Sequence, residues 1–266
     1  MKIFKNKYNL QKEILSMNNI SFVPTMGGLH KGHISLIKES KKKRGKILVS
    51  IFVNPKQFNN KKDFNNYPRK FKKDLNILKK LKIDFLYIPN YQDIFSFKPQ
   101  HKIHLHNFSK KLCGKTRKGH FEGVLNVVNR FLEIIKPKYI YLGLKDFQQF
   151  YLIRKHIKKN DIQTKVISCK TIREKNGVAC STRNDNLSNK QLSLAASVYN
   201  YLRNKKKSIN LNTKQYKNDL IKFGIKKIDY IELLDTKTLK KIRKKTANFK
   251  IFIAYYINEI RLIDNI

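Results

Sequence analysis

Acidic side chains are scarce in this chain. Eighteen Asp and Glu stand against 59 Lys and Arg in 266 residues, a formal net charge of +41. Cysteine is scarcer still, with only Cys113, Cys169 and Cys180, odd in number and widely spaced. That pattern excludes a paired disulfide framework and a cysteine-based metal cluster, and it fits a reduced compartment. Long apolar runs are missing too, because lysine interrupts each one before it reaches spanning length. The start, Met1-Lys2-Ile3-Phe4-Lys5, has no extended apolar stretch followed by a small-residue cleavage site. The expectation from these absences is a cytoplasmic protein with no membrane partner.

The charge invites a nucleic-acid-binding reading. The basic residues are mostly lysine and run along the whole chain, together with an excess of Asn and Ile. A/T-rich coding sequence yields that combination without any selection for a polyanion. No basic stripe with interleaved aromatics forms an RNA platform. The runs Lys41-Lys42-Lys43-Arg44 and Lys205-Lys206-Lys207 lie at predicted helix ends, where the helix dipole and solvation favour cations.

At this length one large or two moderate domains can each bury a core. Strand-like and helical patterns alternate through the first two thirds. Apolar strands are predicted at 20–24, 46–54, 84–88, 138–143 and 164–171. Helices are predicted at 33–44, 70–82 and 120–136, and from about Asp146. Continuous apolar strands alternating with helices predict a parallel sheet covered on both faces, an α/β fold. After about residue 172 the pattern changes. Residues 173–186 are polar, Ser188 and Gln191 form a capping box, and a helix at 213–223 precedes strands at 228–234 and 250–257. The expectation is a Rossmann-like domain over 1–172 and a smaller α+β domain over 173–266 that closes over a cleft.

Four motifs fall just after predicted strands, where ligands bind in such sheets. Met26-Gly27-Gly28-Leu29-His30-Lys31-Gly32-His33 joins a strand to a helix. A glycine-bearing turn there gathers backbone N–H groups and a helix N-terminus, a setting for phosphate. His30 and His33, three residues apart, can hydrogen-bond phosphate oxygens as charge moves onto a leaving pyrophosphate. Read alone, the pair serves equally well as two ordinary loop histidines. Asn54-Pro55-Lys56-Gln57-Phe58 offers Gln57 as donor and acceptor for a hydroxyl- and carboxylate-bearing substrate, or is simply a polar loop. Gly143-Leu144-Lys145-Asp146-Phe147-Gln148-Gln149 places a lysine at a helix start beside a carboxylate that suits ribose, or merely a surface ion pair. Cys180-Ser181-Thr182-Arg183 gathers hydroxyls and a guanidinium, natural phosphate partners, or caps a helix.

Taken together, and with Tyr67-Pro68-Arg69, Leu112-Cys113-Gly114, Gly119-His120-Phe121-x-Gly123-Val124, Arg173-Glu174 and Arg261-Leu262-Ile263-Asp264-Asn265, the sequence resembles the pantothenate synthetase (pantoate–β-alanine ligase) family nearly end to end. The resemblance implies ligation in two steps. Pantoate carboxylate attacks the α-phosphorus of ATP, giving pantoyl adenylate and pyrophosphate. The β-alanine amine then displaces AMP. It implies catalytic roles for His33, His30 and Lys145. It implies ATP contacts from Met26, Gly27, Gly28, Leu29, His30, Lys31, Gly32, His33, Gly143, Leu144, Lys145, Asp146, Ile172, Cys180, Ser181, Thr182 and Arg183. Gln57 and Gln149 would hold pantoate, with Gln57 also at β-alanine, and Mg²⁺ would accompany the triphosphate. A homodimer is the implied assembly.

The chain departs from the family pattern in four places. Thr182 stands where a second serine is usual, Leu144 where a glutamate is, and Lys118 where a proline is common. Lys73-Asp74 replaces an acidic pair, which leaves no protein ligand for a metal assigned there. The rival readings are another H-x-G-H nucleotidyltransferase and, from a different class, a basic RNA-binding protein.

Overall fold

The computed structural model describes residues 1–208, 211–244 and 246–266. Six strands form one parallel sheet: β1 (Lys2–Phe4), β2 (Ile20–Thr25), β3 (Lys46–Ile51), β4 (Phe85–Tyr87), β5 (Tyr139–Gly143) and β6 (Lys165–Cys169). Their order is β1-β4-β3-β2-β5-β6, with every pair parallel. The chain runs outward from β2 through β3 and β4, then crosses over to build β5 and β6 on the other side. The order therefore reverses between β2 and β5, and the loops leaving these two strands diverge around a crevice at their carboxyl ends.

Strand alternation divides the apolar residues between two cores. Phe22, Leu48, Ile140 and Leu142 point to one face, where the helices Lys7–Ile14, His120–Ile135 and Phe147–Lys159 cover them. Val23, Ile47, Val49 and Tyr141 point to the other, against Leu36 and Ile37 of the helix Lys31–Ser40 and Leu78 of the helix Phe71–Lys80. This two-sided burial is why these strands read as continuous apolar runs rather than as alternating ones. The fold is thus α/β, a Rossmann-like parallel sheet with helices on both faces.

A second, antiparallel sheet follows, built from β7 (Lys227–Asp235), β8 (Phe249–Ile257) and β9 (Ile260–Asn265) in that order. The helices Asn189–Ser208 and Thr213–Lys222 pack on it around Ala195, Leu202, Tyr216, Leu220, Ile251 and Ile253. The capping box is present: the Ser188 N–H donates to Gln191 Oε1 at 2.8 Å and the Gln191 N–H to Ser188 Oγ at 3.3 Å.

Several boundaries differ from the sequence expectation. The helix expected at 33–44 begins at Lys31, because His30 caps it, and stops at Ser40. Strand β1 and the helix Lys7–Ile14 have no counterpart in the sequence reading. The strand is three residues long and partly exposed, and the helix buries only Lys7, Leu10 and Ile14.

Candidate active site

A cavity of about 560 Å³ opens at the carboxyl ends of the parallel strands, with the C-terminal sheet closing one side. All four motifs contribute to its walls: Met26, His30, Gly32 and His33 after β2, Gln57 after β3, Gly143, Lys145, Asp146 and Gln149 after β5, and Ile172 and Cys180 to Arg183 beyond β6.

The loop from Met26 to His33 owes its shape to two glycines and one buried carboxylate. Gly27 and Gly28 have φ of +78° and +60°, in the left-handed region that favours glycine. The Asp74 carboxylate, 1% exposed, accepts the Gly28 N–H at 2.8 Å and the Leu29 N–H at 2.7 Å. Nothing in the linear sequence reveals this role, because Asp74 lies 46 residues from Gly28 and acts on backbone alone.

His30 and His33 cap the following helix reciprocally. His30 Nδ1 accepts the Gly32 N–H at 3.1 Å, and His33 Nδ1 accepts the His30 N–H at 3.4 Å. The rings lie 4.1 Å apart, centroid to centroid. With Nδ1 occupied as an acceptor, each neutral imidazole carries its proton on Nε2. Burial, and then the Lys145 ammonium, push His30 down to about 4. Burial, and then His30 itself, push His33 down to about 3. Both are neutral N–H donors at physiological pH.

Lys145 and Asp146 sit on a 3-10 turn, Leu144–Asp146, at the end of β5. The Lys145 ammonium donates to Asp146 Oδ1 at 3.0 Å. Burial pushes the Asp146 carboxyl up, but Lys145, Arg183 and His33 outweigh it and hold the group below its ordinary value. Gly143 has an extended φ of −77°, and a Cβ there would meet nothing within 4 Å. Neither conformation nor packing demands glycine at that position, and the open space lies on the cavity wall, where a ligand can approach the backbone closely.

Gln57 is held from both ends. Its backbone carbonyl accepts from His120 Nδ1 at 2.7 Å and from Arg117 at 3.0 Å. Its side chain donates to Met26 Sδ at 2.8 Å and accepts from Asn54 Nδ2 at 3.3 Å. Asn54 also donates to the Gly123 carbonyl at 3.0 Å, and a Cβ on Gly123 would overlap the Lys56 carbonyl. Of the two neighbouring glutamines, Gln148 is fully engaged: it donates to the Phe108 and Lys111 carbonyls and accepts the Cys113 N–H. The Gln149 side chain lines the cavity and has no protein partner among the described residues.

The segment after β6 is held by contacts within the protein. Ser181 Oγ accepts the Arg183 N–H and caps the turn Thr182–Asn186. Thr182 Oγ1 donates to the Gly28 carbonyl at 3.1 Å, and its methyl occupies the space that a Gly28 Cβ would need. The threonine thus fits because its neighbour is glycine, and its hydroxyl proton is directed to protein rather than to the cavity. The Arg183 guanidinium meets both Asp63 oxygens at 3.0 and 2.8 Å. Cys180 donates to Glu174 Oε1 at 3.1 Å, and burial followed by Glu174 pushes its thiol up to about 11. The Ile172 carbonyl accepts the Cys180 N–H at 2.9 Å.

Five of the residues expected to contact nucleotide do not line the cavity. Gly27 and Gly28 supply backbone shape, Leu29 is a core side chain at 4% exposure, and Leu144 packs against the larger core. The exposed Lys31 pairs with Glu174 at 2.6 Å. No group of three or more His, Cys, Asp or Glu among the described residues is placed to hold a metal ion, and Asp74 is committed to backbone.

A switch-point crevice lined by a histidine-capped helix start, a lysine and two glutamine amides places the chain among doubly wound α/β proteins with a ligand site at the carboxyl ends of the strands. Comparison with known proteins makes the assignment particular. The profile of the family described as pantoate-beta-alanine ligase matches residues 2–266. A pantothenate synthetase of Flavobacterium psychrophilum is 39% identical over 269 residues, covering 98% of this chain and 95% of that protein. One from Francisella tularensis subsp. novicida is 39% identical over 265 residues, covering 98% and 94%. The crystal structure of the Francisella tularensis pantoate-beta-alanine ligase, complexed with beta-gamma ATP and beta-alanine, superposes with a TM-score of 0.87 at 39% identity, covering 100% of this chain and 97% of that one. The Thermus thermophilus enzyme superposes with a TM-score of 0.91 at 27% identity, covering 100% and 99%. The chain belongs to the pantoate–β-alanine ligase family.

Proposed function

We propose that this chain joins pantoate to β-alanine at the expense of ATP, releasing AMP and pyrophosphate, and that the cavity at the carboxyl ends of β2, β3 and β5 is where it does so. The observation that carries the reading is the reciprocal cap of His30 and His33, which engages both Nδ1 atoms and leaves two Nε2–H donors on residues that line the same cavity as Lys145, Gln57 and Gln149. In the first step a pantoate carboxylate oxygen bonds to the α-phosphorus, and the bond to the bridging oxygen of pyrophosphate breaks. Negative charge grows on the leaving oxygens, and fixed donors in a partly dry site stabilise it without having to reorganise. His30, His33 and Lys145 serve there. In the second step the amine attacks the acyl carbon, the bond to AMP breaks, and the amine loses a proton.

Gln57 and Gln149 are the groups we assign to pantoate, with Gln57 also near β-alanine. Asp146 is assigned to ribose, the Ile172 backbone to adenine, and Ser181 and Arg183 to phosphate. Arg183 reaches phosphate by exchanging Asp63 for it. The open space at Gly143 supports a nucleotide lying against that wall. Mg²⁺ would enter with ATP as part of the substrate and would offset the charge of the triphosphate. The halves 1–172 and 173–266 then act as base and lid. We extend the same reading to a homodimer working in the cytoplasm. Among the described residues no helix is long and apolar enough to cross a membrane.

Assays of AMP and pyrophosphate test the reading. Both are expected only when ATP, pantoate and Mg²⁺ are present together, with net ligation requiring β-alanine. Pyrophosphate release indifferent to pantoate would overturn it.

A further inference from the structure

The last strand ends on a pair of side chains that reach across to both sides of the nucleotide site. Asn265 is 3% exposed. Its Nδ2 donates to the Leu144 carbonyl at 2.8 Å and to the Lys145 carbonyl at 2.7 Å. Its Oδ1 accepts from the Lys250 ammonium at 2.7 Å, which fixes the orientation of the amide and aims both N–H groups at the turn. The neighbouring Asp264 takes Arg173 in a two-point ion pair at 2.7 and 3.0 Å. Arg173 in turn donates to the Gly177 carbonyl at 3.0 Å, bracing the loop that leads into Cys180, Ser181 and Arg183.

The turn Leu144–Asp146 has no side-chain cap of its own. Its carbonyls are held by a residue 120 positions away on the other sheet. We propose that Asn265 is a positioning residue for the reaction: through Asn265 the C-terminal sheet sets the place of Lys145 and Asp146, while Asp264 sets the facing loop through Arg173. One strand end thereby fixes the spacing between the two walls that grip ATP. The proposal rests on the reading of Lys145 as a phosphate contact. Both residues also border the cavity, and this task is carried through the protein, from Asn265 to the turn and from Asp264 to Arg173.

The test is steady-state kinetics with separate titrations of ATP and pantoate. Asn265→Asp keeps the shape but sets a carboxylate against two carbonyl oxygens. Its KM for ATP is expected to rise about 10-fold or more, with kcat falling comparably, while the KM for pantoate stays within about 2-fold. Lys250→Met leaves the amide in place but frees it to turn, and is expected to raise the KM for ATP about 3-fold. It also carries the test alone if Asn265→Asp does not fold. An unchanged KM for ATP, or equal rises for both substrates, would overturn the proposal. Lys145→Ala separates it from the reading beneath it. Full turnover in Lys145→Ala overturns both, whereas an inactive Lys145→Ala beside an unaltered Asn265→Asp overturns the positioning role alone.

Discussion

His30 and His33 each engage Nδ1 with a backbone N–H, so the proton that matters to a ligand is on Nε2. Their depressed pKa values make them hydrogen-bond donors rather than resident cations, and Lys145 supplies the fixed charge nearby. His33→Ala removes one such donor and one arm of the helix cap. The adenylation rate is expected to fall about 10²–10³-fold, with circular dichroism unchanged, and a single-turnover measurement of pyrophosphate release checks it. Turnover at the unaltered level would take His33 out of the mechanism. That the histidines, Gln57, Lys145 and Gln149 converge on one cavity was legible, because each sits in a short motif just after a strand. Asp74, Asp63, His120 and Asn265 were not legible in these roles. They act through backbone groups or ion pairs on elements distant in the chain, and no local spacing encodes such a contact.

The elements place these residues through a few close approaches. The helix His120–Ile135 carries Gly123 against the turn Pro55–Gln57, and His120 and Arg117 clamp the Gln57 carbonyl from the helix start. Gly123 is therefore a spacing device inside a helix, where alanine would otherwise be favoured by about 1 kcal/mol. In Gly123→Ala the new methyl displaces the turn bearing Gln57. The KM for pantoate is expected to rise at least about 10-fold while the KM for ATP changes far less, since misplacement of a positioning group by about 1 Å can cost as much as 10²-fold. Kinetics with pantoate as the varied substrate check this, and an unchanged pantoate KM would remove the spacing argument. Strand–helix alternation was legible because the strands are apolar on both faces. The order of the strands was not, since β1 pairs with β4 through only three residues and its own pattern is too short to signal a strand.

Across the whole molecule, four histidines are held neutral by burial: His30 and His156 at about 4, and His33 and His120 at about 3. Their unfolded values lie near 6.5. Between that value and the folded ones, the unfolded chain binds protons that the folded chain refuses, so stability falls as pH falls through this window. Above about 6.5 these four groups contribute no pH dependence. Asp146 and Glu174, held below their ordinary values, act in the same direction at lower pH. The net charge of +41 also disfavours the compact state through self-repulsion, and acid adds to it. Salt separates the two causes. Repulsion between exposed lysines is screened once the Debye length shrinks from about 30 Å at 0.01 M to about 8 Å at 0.15 M. The cost of protonating a buried imidazole is a desolvation cost that salt screens far less. Thermal unfolding followed from pH 7.5 to 5 at both ionic strengths is expected to give a Tm that rises with salt at every pH. The acid-induced drop, beginning near 6.5, should persist at the higher ionic strength. A drop abolished by salt would assign the acid sensitivity to surface charge and leave the buried histidines without a part in it.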